Sequence, residues 1–266
     1  MAHKARKRFG QNFLHDHHII NNILGSLYYN KDQHWVEIGP GQGALTEPLL
    51  KSGAQLDVVE LDRDLVSLLK TQFAHYKTLT IHSSDALKFD FSALATSGEK
   101  LHILGNLPYN ISTPLMFHLL ENTPSIADMT FMLQKEVVDR ICADPGSKKY
   151  GRVSVMMQYY CATEHLFDVP PESFDPRPKV ISSIVRLVPH EQPPVVIDSI
   201  KMVNAVVTTA FSQRRKTLRN SLKKIITEAD IIALDINPTL RAETISLQDF
   251  AKLSQYINQH PLEPDE

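Results

Sequence analysis

The stretch "EIGPGQGALT", residues 37–46, decides the fold of this chain, because it joins an apolar strand to a helix through a turn rich in glycine. Gly39, Gly41 and Gly43 let the backbone bend sharply and let a ligand approach without meeting a Cβ atom. The pattern that starts at Gly39 satisfies the G-x-G-x-x-G/A fingerprint of dinucleotide-binding folds. Glu60, about 20 residues further on, fits the acidic ribose ligand of those folds. A nucleoside-containing ligand is indicated, and a tight turn without a ligand is the alternative.

Apolar, β-branched runs like the one before this turn recur along the chain, separated by stretches of helix length. They are "HWVEIG" (34–39), "LDVVELD" (56–62), "LTIHSSD" (79–85), "LHILGN" (101–106), "MTFMLQ" (129–134) and "SSIVRLV" (182–188). Strands that alternate with helical segments predict βαβ units and a mostly parallel sheet with helices on both faces. The predicted fold class is therefore a doubly wound α/β domain.

The pattern changes after "PHEQPP" (189–194), a proline-rich break. Beyond it the spacing of apolar residues predicts helices in "SIKMVNAVVTTAF" (199–211), "RRKTLRNSLKKII" (214–226) and "LQDFAKLSQYI" (247–257). We therefore expect two domains, an α/β domain over residues 1–190 and a small all-helical domain over residues 195–266.

The composition excludes several classes of protein. A chain of 266 residues with 42% hydrophobic residues is long enough for one good core and a smaller second unit. No run approaches the roughly 18 apolar residues of a membrane span, and the basic N-terminus lacks the apolar segment of a signal peptide. We expect a soluble cytoplasmic protein. Cys142 and Cys161 lack CxxC spacing, so reduced thiols are expected rather than a disulfide or a metal site.

Positive charge is concentrated in segments, although the net charge is −2. Between residues 201 and 226 there are seven positive side chains and no acidic one. If residues 210–226 form one helix, four of the cations project within a sector of roughly 100° beside an apolar face: Arg215, Lys216, Arg219 and Lys223. A second basic loop is "KKYGRVS" (148–154). Such faces are suited to phosphate contacts, and solvated surface is the alternative.

Asp85 distinguishes between two families that share the glycine turn, the nicotinamide dehydrogenases and the methyltransferases. It closes the third predicted strand, so three consecutive strands present a polar residue or a glycine turn at the carboxyl edge where open α/β sheets bind ligands. Methyltransferases that use S-adenosylmethionine need these three positions for the methionine part, the ribose and the adenine amino group. A dehydrogenase makes no comparable demand at its third strand. The alternative for Asp85 alone is a helix cap.

The fourth strand ends in "ILGNLPYN" (103–110), which indicates the chemistry. The N6 amine of adenine is a poor nucleophile because its lone pair is delocalised into the ring, so an enzyme that methylates it needs rigid hydrogen-bond acceptors. The Asn106 side-chain oxygen and the Leu107 carbonyl offer two, Pro108 stiffens the turn, and Tyr109 offers an aromatic face to a flipped base. A plain strand-to-helix turn is the alternative.

The chain resembles the ribosomal RNA small-subunit adenine N6,N6-dimethyltransferases of the KsgA family. The matching blocks are "KRFGQNFLHD" (7–16), "EIGPGQGALT" (37–46), "ELDRDL" (60–65), "GNLPYNISTPLMF" (105–117), "FDPRPKVISS" (174–183) and "AFSQRRKTLRNSL" (210–222). The resemblance implies a class I methyltransferase fold with a Rossmann-like, mostly parallel seven-stranded sheet. It also implies S-adenosylmethionine as the methyl donor. The implied substrate is two adjacent adenines near the 3′ end of 16S ribosomal RNA within a pre-30S particle, late in small-subunit biogenesis.

The resemblance also implies roles for individual residues. The cofactor contacts are expected at Asn12, Leu14, Gly39, Gly41, Glu60, Asp85 and Asn106. The catalytic turn is Asn106, Leu107, Pro108 and Tyr109, and Phe174 is the second aromatic that sandwiches the target base. The RNA contacts are expected at Arg214, Arg215, Lys216, Arg219, Lys223, Lys148, Lys149 and Arg152. Residues 1–190 are then the catalytic domain and 195–266 the RNA-binding domain of a monomer. No metal role is expected, and the cluster His15, His17, His18 is assigned none.

Three alternatives remain open from the sequence. The first is the related group that methylates large-subunit RNA and confers macrolide resistance, although "FDPRPKV" and "RRKTLRNSL" favour the small-subunit group. The second is a protein whose main role is to monitor ribosome assembly, with methylation secondary. The third is the nicotinamide dehydrogenase that the glycine turn allows.

Overall fold

The computed structural model describes residues 11–96 and 98–260, and the basic N-terminal residues 4–8 lie outside this range. In the described range the strands are β1 Phe13–Leu14, β2 His34–Ile38, β3 Gln55–Glu60, β4 Leu79–Ser83, β5 Leu101–Asn106, β6 Ile126–Gln134, β7 Cys161–Val169, β8 Phe174–Asp175 and β9 Ser182–Pro189. The α-helices there are α1 His17–Ser26, α2 Thr46–Lys51, α3 Arg63–Gln72, α4 Ser112–Leu120, α5 Lys135–Ile141, α6 Arg152–Tyr160, α7 Ile200–Phe211, α8 Leu218–Ser221, α9 Glu228–Ala233 and α10 Leu247–Gln259.

Seven strands form one sheet in the order β4-β3-β2-β5-β6-β9-β7. The pairs β4–β3, β3–β2, β2–β5 and β5–β6 are parallel, while β9 runs antiparallel to β6. The strand order reverses between β2 and β5, which makes their carboxyl ends the topological switch point where such sheets bind ligands. The prediction of a doubly wound, mostly parallel α/β sheet is confirmed.

The central strands are buried on both faces, which is why the sequence showed them as continuous apolar runs. All five residues of β2 are buried, and Trp35 is 0% exposed. Helix α1 begins where the Asp16 side chain accepts from the backbone N–H groups of His18 and Ile19. Helix α3 begins in the same way at Asp62. The parallel pairing of the buried strands brings their carboxyl ends to the same edge of the sheet.

The chain divides into two compact units. The first comprises the described residues up to Val138 together with Thr163–Pro189, and the second comprises Asp139–Ala162 and the chain from His190 onwards. This division differs from two consecutive domains, because residues 139–162 group with the C-terminal helices. Helix α6 packs against α7, and the Arg152 guanidinium donates to the Asn204 side chain at 2.9 Å.

One predicted helix is wrong. Helix α7 ends at Phe211, and α8 contains only four residues, Leu218–Ser221, so residues 210–226 do not form one continuous helix. The backbone is instead drawn into tertiary hydrogen bonds, with the N–H of Leu218 donating to the Leu240 carbonyl at 2.8 Å. Thr217 forms an isolated antiparallel bridge with Arg241. The single cationic face expected on that helix therefore does not exist.

Candidate active site at the carboxyl edge of the sheet

A cavity of about 350 Å³ lies at the carboxyl edge of the sheet in the first unit. Its walls come from the N-terminal segment 11–14 and from residues at or just beyond the ends of four parallel strands, 39–42, 44–45, 60–61, 84–86 and 106–111. The predicted cofactor residues Asn12, Leu14, Gly39, Gly41, Glu60, Asp85 and Asn106 all line it. The tertiary structure therefore brings together residues that lie up to 94 positions apart.

The glycine turn bends sharply because its three glycines adopt positive φ angles. Gly39, Gly41 and Gly43 have φ angles of +67°, +58° and +87°. A Cβ on Gly41 would lie 3.1 Å from the Phe13 ring, and a Cβ on Gly43 would lie 2.7 Å from the Phe73 ring. Both the left-handed conformation and the close packing thus require glycine at position 43.

Glu60 is a buried carboxylate that receives backbone N–H groups. Its Oε1 accepts from the N–H of Asp62 at 2.8 Å, and Gly41 and Leu61 contribute further backbone hydrogen bonds. Burial raises the pKa of Glu60, while these three N–H groups oppose the shift. The bond from Gly41 ties the acidic residue directly to the glycine turn.

Glu37 is a cavity residue that the sequence analysis did not single out. It lies in β2, is 3% exposed, and accepts from the Thr46 hydroxyl at 2.5 Å. Burial raises the pKa of Glu37 to about 7, and the nearby charge of Glu60 adds to the shift. The signal was present in the sequence, because an acidic residue in an otherwise apolar central strand needs an explanation.

Asp85 lies two residues beyond the end of β4 and lines the cavity. Its Oδ1 accepts from the backbone N–H of Leu87 at 3.0 Å, which holds a turn over residues 86–88 and caps no helix. That turn uses one carboxylate oxygen, and Asp85 has a second. Asp85 can therefore hold this turn with one oxygen and still present the other to a ligand in the cavity.

Asn106 ends β5 at the cavity wall. Its Nδ2 donates to the backbone carbonyl of Asn12 at 3.1 Å. The next residue, Leu107, is anchored by an N–H bond to the Met132 carbonyl at 3.2 Å, and the Pro108 carbonyl accepts from Ile111 and Ser112. The turn is therefore fixed on both sides by backbone hydrogen bonds.

The two predicted aromatic residues differ in their positions. Tyr109 lines the cavity, and its hydroxyl lies 3.1 Å from Oγ of Ser182. Phe174 is 4% exposed, belongs to the hydrophobic core with Leu14, and is absent from the cavity wall in the described residues. Contact of Phe174 with a base would first require its ring to be uncovered. Its role as the second aromatic stays a prediction.

The N-terminal segment 11–14 lines the cavity and is attached by hydrogen bonds to residues at the ends of the strands. The Gln11 side chain donates to Asp62 at 3.1 Å, and Asn12 accepts from Asn106. Strand β1 pairs with β8, which places Leu14 opposite Phe174. These contacts join the segment to both sides of the switch point.

Several predicted RNA contacts already have protein partners within the second unit. The Arg214 guanidinium donates to the carbonyls of Lys148 and Tyr150, at 2.6 and 3.1 Å. Other pairs are Arg219 with Glu228 at 3.1 Å, Lys149 with Asp139 at 2.7 Å, and Arg152 with Asn204 at 2.9 Å. Arg215, Lys216 and Lys223 are exposed. The role of these three residues as RNA contacts stays a prediction, as does that of the other five basic residues named from the sequence.

Within residues 11–96 and 98–260, no three His, Cys, Asp or Glu side chains are grouped so that they could hold a metal ion. None of the helices in that range is long and apolar enough to cross a bilayer.

The chain matches the family of ribosomal RNA adenine dimethylases over residues 2–259. It is 56% identical over 259 residues to a protein of Pseudomonas aeruginosa named ribosomal RNA small subunit methyltransferase A, with 97% of each chain covered. It is 57% identical over 256 residues to a protein of the same name from Saccharophagus degradans, with 96% of each chain covered.

Two solved structures share the fold. A dimethyladenosine transferase from Plasmodium falciparum has a TM-score of 0.80 at 25% identity, covering 93% of this chain and 98% of that one. The 23S rRNA methyltransferase ErmE has a TM-score of 0.72 at 23% identity, covering 93% and 100%, and shows the fold alone. The matched residues 2–259 include the glycine turn, Glu60 at the end of β3 and the N-L-P-Y turn, which all line one cavity. The chain therefore belongs to the ribosomal RNA adenine dimethylase family.

Proposed function

We propose that this protein transfers methyl groups from S-adenosylmethionine to N6 of two adjacent adenines near the 3′ end of 16S ribosomal RNA, twice on each base, during late small-subunit assembly. The family match supports the reaction, and the relatives above 50% identity are named for the small subunit. ErmE, whose name refers to 23S rRNA, is related at 23% identity only. A dehydrogenase is not supported by any of these likenesses.

The residues of the cavity fit S-adenosylmethionine. The turn at Gly39 and Gly41 would accept the methionine part closely, because neither residue has a side chain between its backbone and the cavity. Glu60 would accept both ribose hydroxyls, and Asp85 would accept from the adenine amino group. When bound, the cofactor supplies an electrophilic methyl carbon on a sulfonium. The buried carboxylates Glu37 and Glu60 would favour that positive charge.

The catalytic turn would activate the target amine by accepting its hydrogens. Asn106 supports this proposal because its amide nitrogen is already bound to the Asn12 carbonyl, which leaves Oδ1 to accept. The Leu107 carbonyl would accept the second hydrogen, so nitrogen can pyramidalise and direct its lone pair towards the methyl carbon. Acceptors held rigidly stabilise the developing positive charge at no reorganisation cost. The amino proton then leaves to water, so no strong general base is needed.

The observation on which the proposal depends is that Asn106 and Tyr109 share one turn on the wall of the cavity that Glu60 and the glycine turn line. The test is the Asn106→Ala variant, assayed with undermethylated small subunits and labelled cofactor. Mass spectrometry of the RNA reports the modified bases and their methyl count. We expect a rate at least 100-fold lower, the order of magnitude known for the loss of one electrostatic donor in an active site.

Asn122→Ala is the matched control. Asn122 also donates its side-chain amide to a backbone carbonyl, that of His118 at 3.1 Å, but it does not line the cavity. Full activity of Asn106→Ala would refute the role of Asn106. Methylation of large subunits in preference to small ones by the unaltered protein would refute the assigned substrate.

The RNA contacts of the second unit form part of the same proposal. Arg215, Lys216 and Lys223 are exposed cations on the segment that follows α7. They would bind phosphate oxygens and orient the RNA without reading its sequence. Arg214 would instead organise the basic loop 148–152 through the two carbonyls that it holds.

A further inference from the structure

Tyr109 is held by a side-chain hydrogen bond to a residue 73 positions away. Its hydroxyl lies 3.1 Å from Oγ of Ser182, which is only 1% exposed. A buried hydroxyl without a partner costs free energy, so each of these two groups satisfies the other. The bond therefore links the catalytic turn, which follows β5, to the start of β9, two strands away in the sheet.

Ser182 is a rigid anchor for this bond. It is the first residue of β9, and it lies in register with Gln134 of β6. Immediately before it, the Ile181 carbonyl accepts from the N–H of Lys135 at 2.9 Å. The hydroxyl of Ser182 therefore projects from the hydrogen-bonded sheet and not from a loop.

Tyr109 needs such an anchor because its backbone does not determine the direction of its ring. Pro108 restricts the backbone before Tyr109, but the side chain still rotates about two torsions. A phenylalanine would present an equal aromatic face to a base, so stacking alone does not explain a hydroxyl that is bound to Ser182. Fixing the far end of the ring explains it.

We infer that Ser182 is a positioning residue of the methyl transfer, because its hydroxyl holds the Tyr109 ring at the angle that places the target adenine before Asn106. This inference rests on the proposed function and adds a residue to it. A ring held at one angle loses no rotational freedom when the base arrives, and the amine then spends more time in the reactive geometry.

A double-mutant cycle tests the inference. Ser182→Ala and Tyr109→Phe each remove one partner of the same hydrogen bond, so each should lower kcat/KM by roughly two- to tenfold, the worth of one neutral hydrogen bond. The double variant should be no slower than the slower single variant, because the bond is already lost. The affinity for S-adenosylmethionine, measured by calorimetry, should stay unchanged in all three.

Ser183→Ala is the matched control. Ser183 is adjacent and fully buried, but its hydroxyl donates to Asp168 at 2.6 Å. In the double variant, any decrease in kcat/KM caused by Ser183→Ala should multiply with that caused by Tyr109→Phe, because the two residues share no hydrogen bond. The inference is overturned if the effects of Ser182→Ala and Tyr109→Phe multiply in the same way, or if neither changes kcat/KM.

Two outcomes separate this inference from the proposed function. If the unaltered protein does not methylate small subunits, the proposed function fails and the inference fails with it. If it does methylate them but the cycle shows independent effects, only the role of Ser182 fails. Should Ser182→Ala not fold, Tyr109→Phe removes the same bond from the cavity side, and an unchanged kcat/KM would still overturn the inference.

Discussion

Replacing Glu37 with glutamine should make the first unit more stable at neutral and alkaline pH, and by an amount that depends on pH. Burial raises the pKa of Glu37 from 4.5 to about 7 in the folded chain. Well below pH 4.5 the carboxyl group is neutral in both states and has no effect on stability. As the pH rises, the unfolded chain ionises first, so the folded state binds more protons and stability falls until the folded group has ionised too.

The size of the effect follows from the shift. A difference of 2.5 between 4.5 and 7 corresponds to about 3 kcal/mol once both states are ionised, at 1.36 kcal/mol per unit. At pH 5 the cost is still below about 1 kcal/mol. Glutamine keeps an oxygen that accepts from the Thr46 hydroxyl but never ionises. The stability difference between Glu37→Gln and the unaltered protein should therefore grow by about 2 kcal/mol or more from pH 5 to pH 8.

The assay is urea unfolding at pH 5, 6, 7 and 8, followed by tryptophan fluorescence. Trp35 is the only tryptophan in the chain, is fully buried and lies in the same strand as Glu37, so it reports on the first unit. Glu164→Gln is the matched control, because Glu164 is exposed on β7. A stability difference that stays constant across this pH range would refute the reasoning.

Three further predictions concern the turn, the cofactor and the RNA. Gly43→Ala should lower the free energy of unfolding by about 1 to 3 kcal/mol, because the new Cβ would meet the Phe73 ring at a φ of +87°. Gly25→Ala is the control, because a Cβ at that position has open space and should not destabilise the protein. Urea unfolding compares the two variants. Glu60→Ala should weaken S-adenosylmethionine binding on the order of 10- to 100-fold by calorimetry, and unchanged affinity would exclude a ribose contact. Lys216→Ala should lower the slope of RNA affinity against salt concentration by about 1, whereas an unchanged slope would exclude a phosphate contact.

Most of the strands that the sequence predicted are largely buried, and β4, an edge strand without a buried residue, is the exception. Strands β2, β3, β5 and β6 consist mostly of buried residues, so nearly every position needed an apolar side chain and the signal was continuous. Strand β7 was missed because polar residues such as Glu164 and His165 interrupt its apolar run, and most of its positions are exposed or half-buried. The two-residue strands β1 and β8 carry too few residues for any period.

The basic segment shows where local pattern fails. Its apolar spacing fits a helix, and Leu218 and Leu222 are indeed fully buried. However, the N–H groups of Leu218 and Arg219 find their partners in the Leu240 and Pro238 carbonyls, which end the helical path. Periodicity reports which side chains are buried, but not which backbone groups bind one another.

The amino-acid sequence by itself determined the order of strands and helices, the glycine turn and the residue types at the strand ends, because these depend on neighbours within a few positions. Only the tertiary structure decided that the Asn106 amide is bound to Asn12, 94 positions away, and the Tyr109 hydroxyl to Ser182, 73 positions away. It also decided the raised pKa of Glu37, since burial depends on every element packed around the strand. Long-range contacts arise from the path of the whole backbone, which no short stretch of sequence encodes.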